Sequence, residues 1–285
     1  MLTHPRSAHT VNRMMSSAVA SRSDITRQIV VISAVVFMII AAMFGAGVLG
    51  GTPVQDLQGG ALSATATVLA PASSAFSIWS LIYLFMIAYT VWQALPSQRD
   101  SERQRRAGYP IALTAVLNGA WLLAAQFTTL ILTVITIVLL LAALGATIRI
   151  LVRNPPRTIA ETLFTDVTVG LHLGWVTLAT VANTTAWLTA EVAPSSWAEV
   201  ADAWGIAVLV VVVLIAGATA IATGGRLAPA LASAWGLLWI GVGRFSGEPE
   251  STPVAIAAWV AAAIVVLVPL VMWATGRRGE LALRR

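Results

Sequence analysis

Eight uninterrupted apolar runs recur along this chain, and nothing constrains its fold more. They lie at about residues 29–49, 74–95, 109–127, 129–151, 161–189, 203–223, 228–245 and 253–274. Each approaches the roughly 20 apolar residues that a helix needs to cross a bilayer. Inside hydrocarbon every backbone N–H and C=O must be paired within the segment or within a closed barrel. Barrel strands alternate apolar and polar residues over about ten positions. These runs are longer and apolar throughout, so they predict helices. The fold class that follows is an all-α integral membrane protein with eight transmembrane helices. Only 10% of residues are charged and 58% are hydrophobic, whereas soluble domains carry about 25% charged residues. No stretch remains for a soluble catalytic domain. The first run follows a basic leader and precedes small residues, a pattern that a cleaved signal peptide shares. Its length suffices to span, and it is read as a helix.

The boundaries follow from breakers and charge. Pro96 ends the second run, and Pro155 and Pro156 lie just past the fourth. Proline has no N–H and disfavours helical geometry in the residue before it. Between the second and third runs the sequence SQRDSERQRRAG reads as a charged loop, and residues 50–70 as a loop with a short re-entrant or interfacial piece. All seventeen basic residues are arginine, and in an eight-span topology sixteen of them fall on one side. Arg244 alone falls on the other side, with Asp56, Glu191, Glu199, Asp202, Glu248 and Glu250. Arginine marks the cytoplasmic side of short loops, so both termini are expected in the cytoplasm. The net charge of +5 is dispersed in short clusters between apolar runs and forms no stripe for nucleic acid. The chain has no cysteine, which excludes disulfide and thiol chemistry.

Polar residues within the spans are the natural functional candidates, because an unpaired polar group in hydrocarbon is costly. Asn118 and Trp121 share a helix face, as do Trp175, Ala179 and Asn183. Trp79 and Tyr83 are one turn apart in the second run, and His172 lies deep in the fifth. Each has a plainer use: tryptophan as a packing group or interfacial anchor, asparagine as an interhelical hydrogen-bonding group. The anchor reading is preferred for Trp92, Trp187, Trp197, Trp204 and Trp273, near the run ends. Asp166 is expected to reach the interface or to pair with an arginine such as Arg149. Six residues separate it from His172, so the two do not share a face. No HExxH, GxSxG, CxxC or Walker motif is present, nor a cluster of metal ligands, and the reading is non-enzymatic.

Three segments together resemble a known family. They are FSIWSLIYLFMIAYTVWQALP at 76–96, LNGAW at 117–121 and LGWVTLATVAN at 173–183. In order and spacing they are similar to the translocator protein family, also called the tryptophan-rich sensory or peripheral benzodiazepine receptor family. Trp79 and Tyr83 match its second-helix pattern, Asn118 and Trp121 its third, and Trp175, Ala179 and Asn183 its fifth. The resemblance covers residues 29–190 and implies a five-helix bundle, often dimeric, with a tryptophan-walled cavity. It implies binding of haem, porphyrin or another hydrophobic small molecule, with no cofactor required. Trp79, Tyr83, Asn118, Trp121, His172, Trp175, Ala179 and Asn183 would line the ligand. The expected setting is the bilayer of a bacterial cytoplasmic membrane.

The chain departs from the family pattern in two places. Residues 50–75 contain no tryptophan where the family has a Pro–x–Trp–x–Pro–Pro-like segment, and three further runs follow residue 190. The expected organisation is therefore a tail (1–28), a translocator-like bundle (29–190), three additional helices (203–274) and a basic tail (275–285). A sensor or binding protein leads among the functions. A small secondary transporter and a structural membrane subunit stand as alternatives, although the last four helices do not visibly repeat the first four.

Overall fold

The computed structural model describes residues 22–276. The N-terminal tail and the arginines after residue 276 lie outside the described residues. Eight long helices carry the fold: α1 (Arg22–Gly45), α2 (Ile78–Ala94), α3 (Glu102–Phe127), α4 (Leu130–Arg153), α5 (Ile159–Val192), α6 (Ala201–Ala222), α7 (Leu227–Ser246) and α8 (Thr252–Ala274). The described residues contain no strand. Helix α5 is α-helical over Thr168–Trp187, with wider π turns at Thr162–Val167 and Leu188–Val192.

Seven of the eight, all but α7, are long and apolar enough to cross a membrane. The exception has 20 residues, but alanine, glycine, serine, proline and Arg244 dilute its hydropathy. It can be so polar because it is shielded: Pro229, Ser233, Gly236, Gly241 and Arg244 are all buried. The outward faces of the other helices are strongly apolar, as with Leu84, Val91, Leu214 and Leu267. Large apolar side chains exposed around a bundle are what lipid contact requires and water does not tolerate.

Helices α1 and α3 begin well before their apolar runs, at Arg22 and Glu102. The charged segment after residue 100 is the first two turns of α3, capped by Ser101, whose Oγ accepts from the Gln104 N–H at 3.4 Å. Two of its arginines form ion pairs across the bundle. Arg105 makes a two-pronged pair with Asp24 of α1 at 2.7 and 2.8 Å. Arg103 meets Asp166 of α5 at 2.7 Å, and Arg226, which caps α7, closes on the same carboxylate. The partners of Asp166 are thus Arg103 and Arg226, not Arg149. Paired charge lets polar residues continue a helix that hydropathy alone would end. Trp92 also differs from expectation. It is buried against Phe164, with ring centroids 5.8 Å apart, and is no interfacial anchor. Trp197, Trp204 and Trp273 are exposed, as anchors would be.

In the packing, α1 lies on α3, α3 on α4, and α4 on α5, while α2 touches its neighbours more sparingly. Helix α7 packs along α5 and carries α8, which in turn holds α6. The approach of α7 to α5 is close because Gly170 and Gly174 lie one turn apart. A Cβ at Gly174 would fall on the backbone of Pro229. Ser233 Oγ donates to the Gly174 carbonyl at 2.9 Å across that contact. Small residues at a helix crossing are the usual means of close packing in lipid, where no hydrophobic force draws helices together. Two apolar cores result. One joins α1–α5 with Ala232 of α7; the other joins α6–α8 with Leu69 and Leu178.

Candidate functional site

The residues singled out on α2, α3 and α5 converge near the middle of the first bundle. Trp79 and Tyr83 stack with centroids 5.4 Å apart, as one-turn neighbours on α2 should. The edge of Trp79 meets both Trp175 and His172 at 6.0 Å. Phe76 meets Trp175 at 6.1 Å, also edge to face. Such T-shaped contacts place the positive ring edge on the negative face and fix ring orientation.

These rings divide two cavities. An inner chamber of about 60 Å³ is lined by Asn118, Trp121, Trp175, Ala179 and Asn183, among others. An outer groove of about 610 Å³ lies between α1, α2 and α3, with Tyr83, Ile39, Met43 and Leu122 on its walls. Phe76, Trp79, Trp121 and Val54 line both. Organic ligands typically occupy about 300–1,000 Å³. The groove has that size, and the chamber is about a tenth of it. The sparse packing of α2 against α1 is what leaves the groove open.

The polar residues form two sets. Trp121 Nε1 donates to Asn183 Oδ1 at 2.9 Å, and Asn183 Nδ2 donates to Thr133 Oγ1 of α4 at 2.9 Å. Asn183 thereby ties α3, α4 and α5 together with both ends of its amide. The second set is looser. Tyr83 Oη reaches Asn118 Oδ1 at 3.5 Å, and Asn118 Nδ2 lies 3.5 Å from His172 Nε2. His172 is buried behind Asn118 and Trp79 and lines neither cavity. Among the described residues its Nδ1 has no partner, and neither has Trp175 Nε1, a buried donor on a residue of the chamber wall. Seven of the eight candidates therefore line the chamber or the groove, and His172 supports them from behind.

Several contributors escape motif reading. Phe76 belongs to none of the matched motif pairs, and Thr133 is one of several threonines in an apolar run. The cover of the chamber comes from the Gly- and Ala-rich segment after α1, through Ala61, Leu62, Ser63, Thr67, Ala70 and Pro71. Helix α7 holds that strap. Arg244 is 1% exposed, and its guanidinium donates to the carbonyls of Ala64 and Thr67 in the strap, at 2.8 and 3.1 Å. It also donates to Glu248 and Pro249 in the next loop, at 2.8 and 3.0 Å. Trp235 Nε1 donates to the Ala75 carbonyl at 2.9 Å, and the Ala72 N–H donates to the Trp239 carbonyl at 3.1 Å. The sequence did signal Arg244, as the single arginine on the acidic side.

Residues 28–271 match the family described as TSPO-like protein, a stretch that runs from α1 into α8 and takes in the last three helices. No curated protein and no solved structure matches the chain. A match over most of the sequence, on a helical membrane bundle whose aromatic motifs meet at one wall, shows that this chain belongs to the TSPO-like family in a longer form.

Proposed function

We propose that this membrane sensor or binding protein takes a flat hydrophobic ligand of the tetrapyrrole class in the groove between α1 and α2. The observation that carries this reading is the aromatic wall of Phe76, Trp79 and Trp121, shared by a ligand-sized groove and a small, mostly apolar chamber that holds Asn118 and Asn183. Aromatic faces suit a planar apolar ring, and a few polar groups behind them suit its polar edge. The unpartnered Trp175 Nε1 supplies a donor at the chamber wall. The loose Tyr83–Asn118–His172 contacts can re-form around an occupant, which suits sensing better than the fixed Trp121–Asn183–Thr133 set. By the positive-inside rule, the arginine-rich end of the bundle faces the cytoplasm.

The test is tryptophan quenching during titration with protoporphyrin, corrected for inner-filter absorption. Saturable quenching is expected, weakened several-fold by Trp121→Phe and by Ala46→Phe, which fills the groove from the turn after α1, and less by Asn118→Ala. Linear quenching identical in all variants would overturn the reading. The serial arrangement of groove, wall and chamber favours one alternative, a transport path gated by the wall. Solute flux that follows an imposed gradient, without saturable quenching, would favour it.

A further inference from the structure

A third cavity, of about 480 Å³, lies at the acidic end of the bundle, away from the aromatic wall. Its walls come from the last turns of α5 (Leu188), the 3-10 turn Ser195–Val200 (Trp197), the start of α6 (Trp204, Val208) and the outer face of the strap (Thr67, Val68). Its size is that of an organic ligand site, and its interior is apolar apart from hydroxyls and backbone. Trp197 and Trp204 are stacked at 5.4 Å and 26°, yet they are 43% and 52% exposed.

The charge around this cavity has one sign. Glu191, Glu199, Asp202 and Glu248 are all exposed, and each lies within two residues of a cavity-lining position. None of them is in an ion pair among the described residues. The one described basic residue at this end is Arg244, which is buried and donates to four backbone carbonyls. Glu191 accepts from Trp187 Nε1 at 2.9 Å and Glu248 interacts with the Arg244 charge, which leaves Glu199 and Asp202, next to the lining Ala198 and Ala201, as the carboxylates unopposed among the described residues. An apolar cavity with an exposed tryptophan pair and this negative edge is complementary to a cation with an apolar body. Tryptophan faces attract cations, and the attraction grows when the cation is desolvated.

We propose that this cavity is a second binding site, for an amphipathic cation. The apolar body enters between α5 and α6, and the positive group rests on Trp197 and Trp204 beside the carboxylates. This does not depend on the tetrapyrrole reading, since the two sites share no aromatic residue.

The experiment is calorimetric titration of the full chain in dodecyl maltoside micelles, whose head groups are uncharged, with empty micelles as the partitioning control. Three probes share one tail: phenylbutyl-trimethylammonium, its neutral carbon isostere with a tert-butyl group, and phenylbutyl sulfonate. The cation is expected to saturate one site, about tenfold tighter than the isostere, with the sulfonate weakest. Ala198→Phe, at an exposed wall position, should remove saturable binding of the cation. Glu199→Gln combined with Asp202→Asn should cut the cation's advantage and leave the isostere unchanged. Trp121→Phe should change nothing here, which separates this site from the first. Retained helical circular dichroism and size-exclusion profile confirm that each variant folds. Equal affinity for all three probes, or cation binding that survives both Ala198→Phe and Trp204→Leu, would overturn the proposal. An anchoring role for the two tryptophans predicts that result.

Discussion

The two halves of the bundle are built from different materials. The core of α1–α5 mixes large aromatics with buried polar groups, including Tyr89, Trp92, Trp175, Asn118, His172 and Asp166. The core of α6–α8 is alanine, valine, leucine and isoleucine, packed without buried ion pairs. Hydrogen bonds between side chains in lipid fix which helix faces which, and rings with irregular outlines leave gaps between them. Small aliphatic side chains close-pack and leave little room. The chamber and the groove accordingly lie within the first half, the second half holds the first in place, and the third cavity opens only at the acidic end, where α6 begins. Helix α7 mediates between them, with Ala232, Trp235 and Trp239 on one core and Ala230, Ala234 and Leu237 on the other.

The comparison breaks most sharply at the charges. Asp166→Asn would leave Arg103 and Arg226 without their buried carboxylate. A loss of about 3–5 kcal/mol is expected, the usual cost of removing one partner of a buried pair. Unfolding in mixed micelles titrated with dodecyl sulfate would measure it. An unchanged midpoint would mean that polar pairing does not hold the first half together. A smaller effect is expected for Arg244→Met, which removes donors to four carbonyls. About 2–3 kcal/mol is expected, the value of roughly one charged hydrogen bond, because three of the four bonds are only part-buried and water can replace the lost donor there. Its signature is local: limited proteolysis should cut faster within residues 61–70, and protoporphyrin quenching should weaken although no cavity-lining side chain has changed. Strap cleavage at the native rate would show that α7 does not secure the cover. The finest distinction sets Asn183→Leu against Val212→Ala. The first orphans Trp121 Nε1 and takes the Asn183 donor from Thr133 Oγ1, which keeps its own bond to the Leu130 carbonyl, and should cost about 1–2 kcal/mol. The second trims the aliphatic core and should cost about 1 kcal/mol or less, because little hydrophobic force acts between helices in lipid. The same dodecyl sulfate titration orders them, and a reversed order would erase the contrast between the halves.

The division between what was legible and what was not falls along the range of the interactions. Length and apolarity of a run are local properties. The helices, the turns near Pro96 and Pro155, and the faces shared by Trp175, Ala179 and Asn183 could thus be read directly. The clustering of the motif residues was legible through family resemblance, since short patterns on three separate helices say nothing of their distances. The charged start of α3 was misread as loop because its stability comes from Asp24 and Asp166, which are far away in sequence. Trp92 was misread as an anchor because its partner Phe164 lies on another helix. His172 looked like a lining residue, and only the position of Asn118 in front of it shows otherwise.

By itself, the sequence determined a helical membrane bundle with arginine gathered at one end, because hydrocarbon imposes its demand on every backbone group, segment by segment. Only the tertiary structure decided how that bundle is used. It set α2 apart from α1 so that a groove opens, placed one aromatic wall between groove and chamber, and sent Arg244 to hold the strap. Those features depend on glycine contacts such as Gly174 on Pro229 and on hydrogen bonds spanning as many as 180 residues. Such contacts come into being only when the helices meet, and no run of sequence contains them.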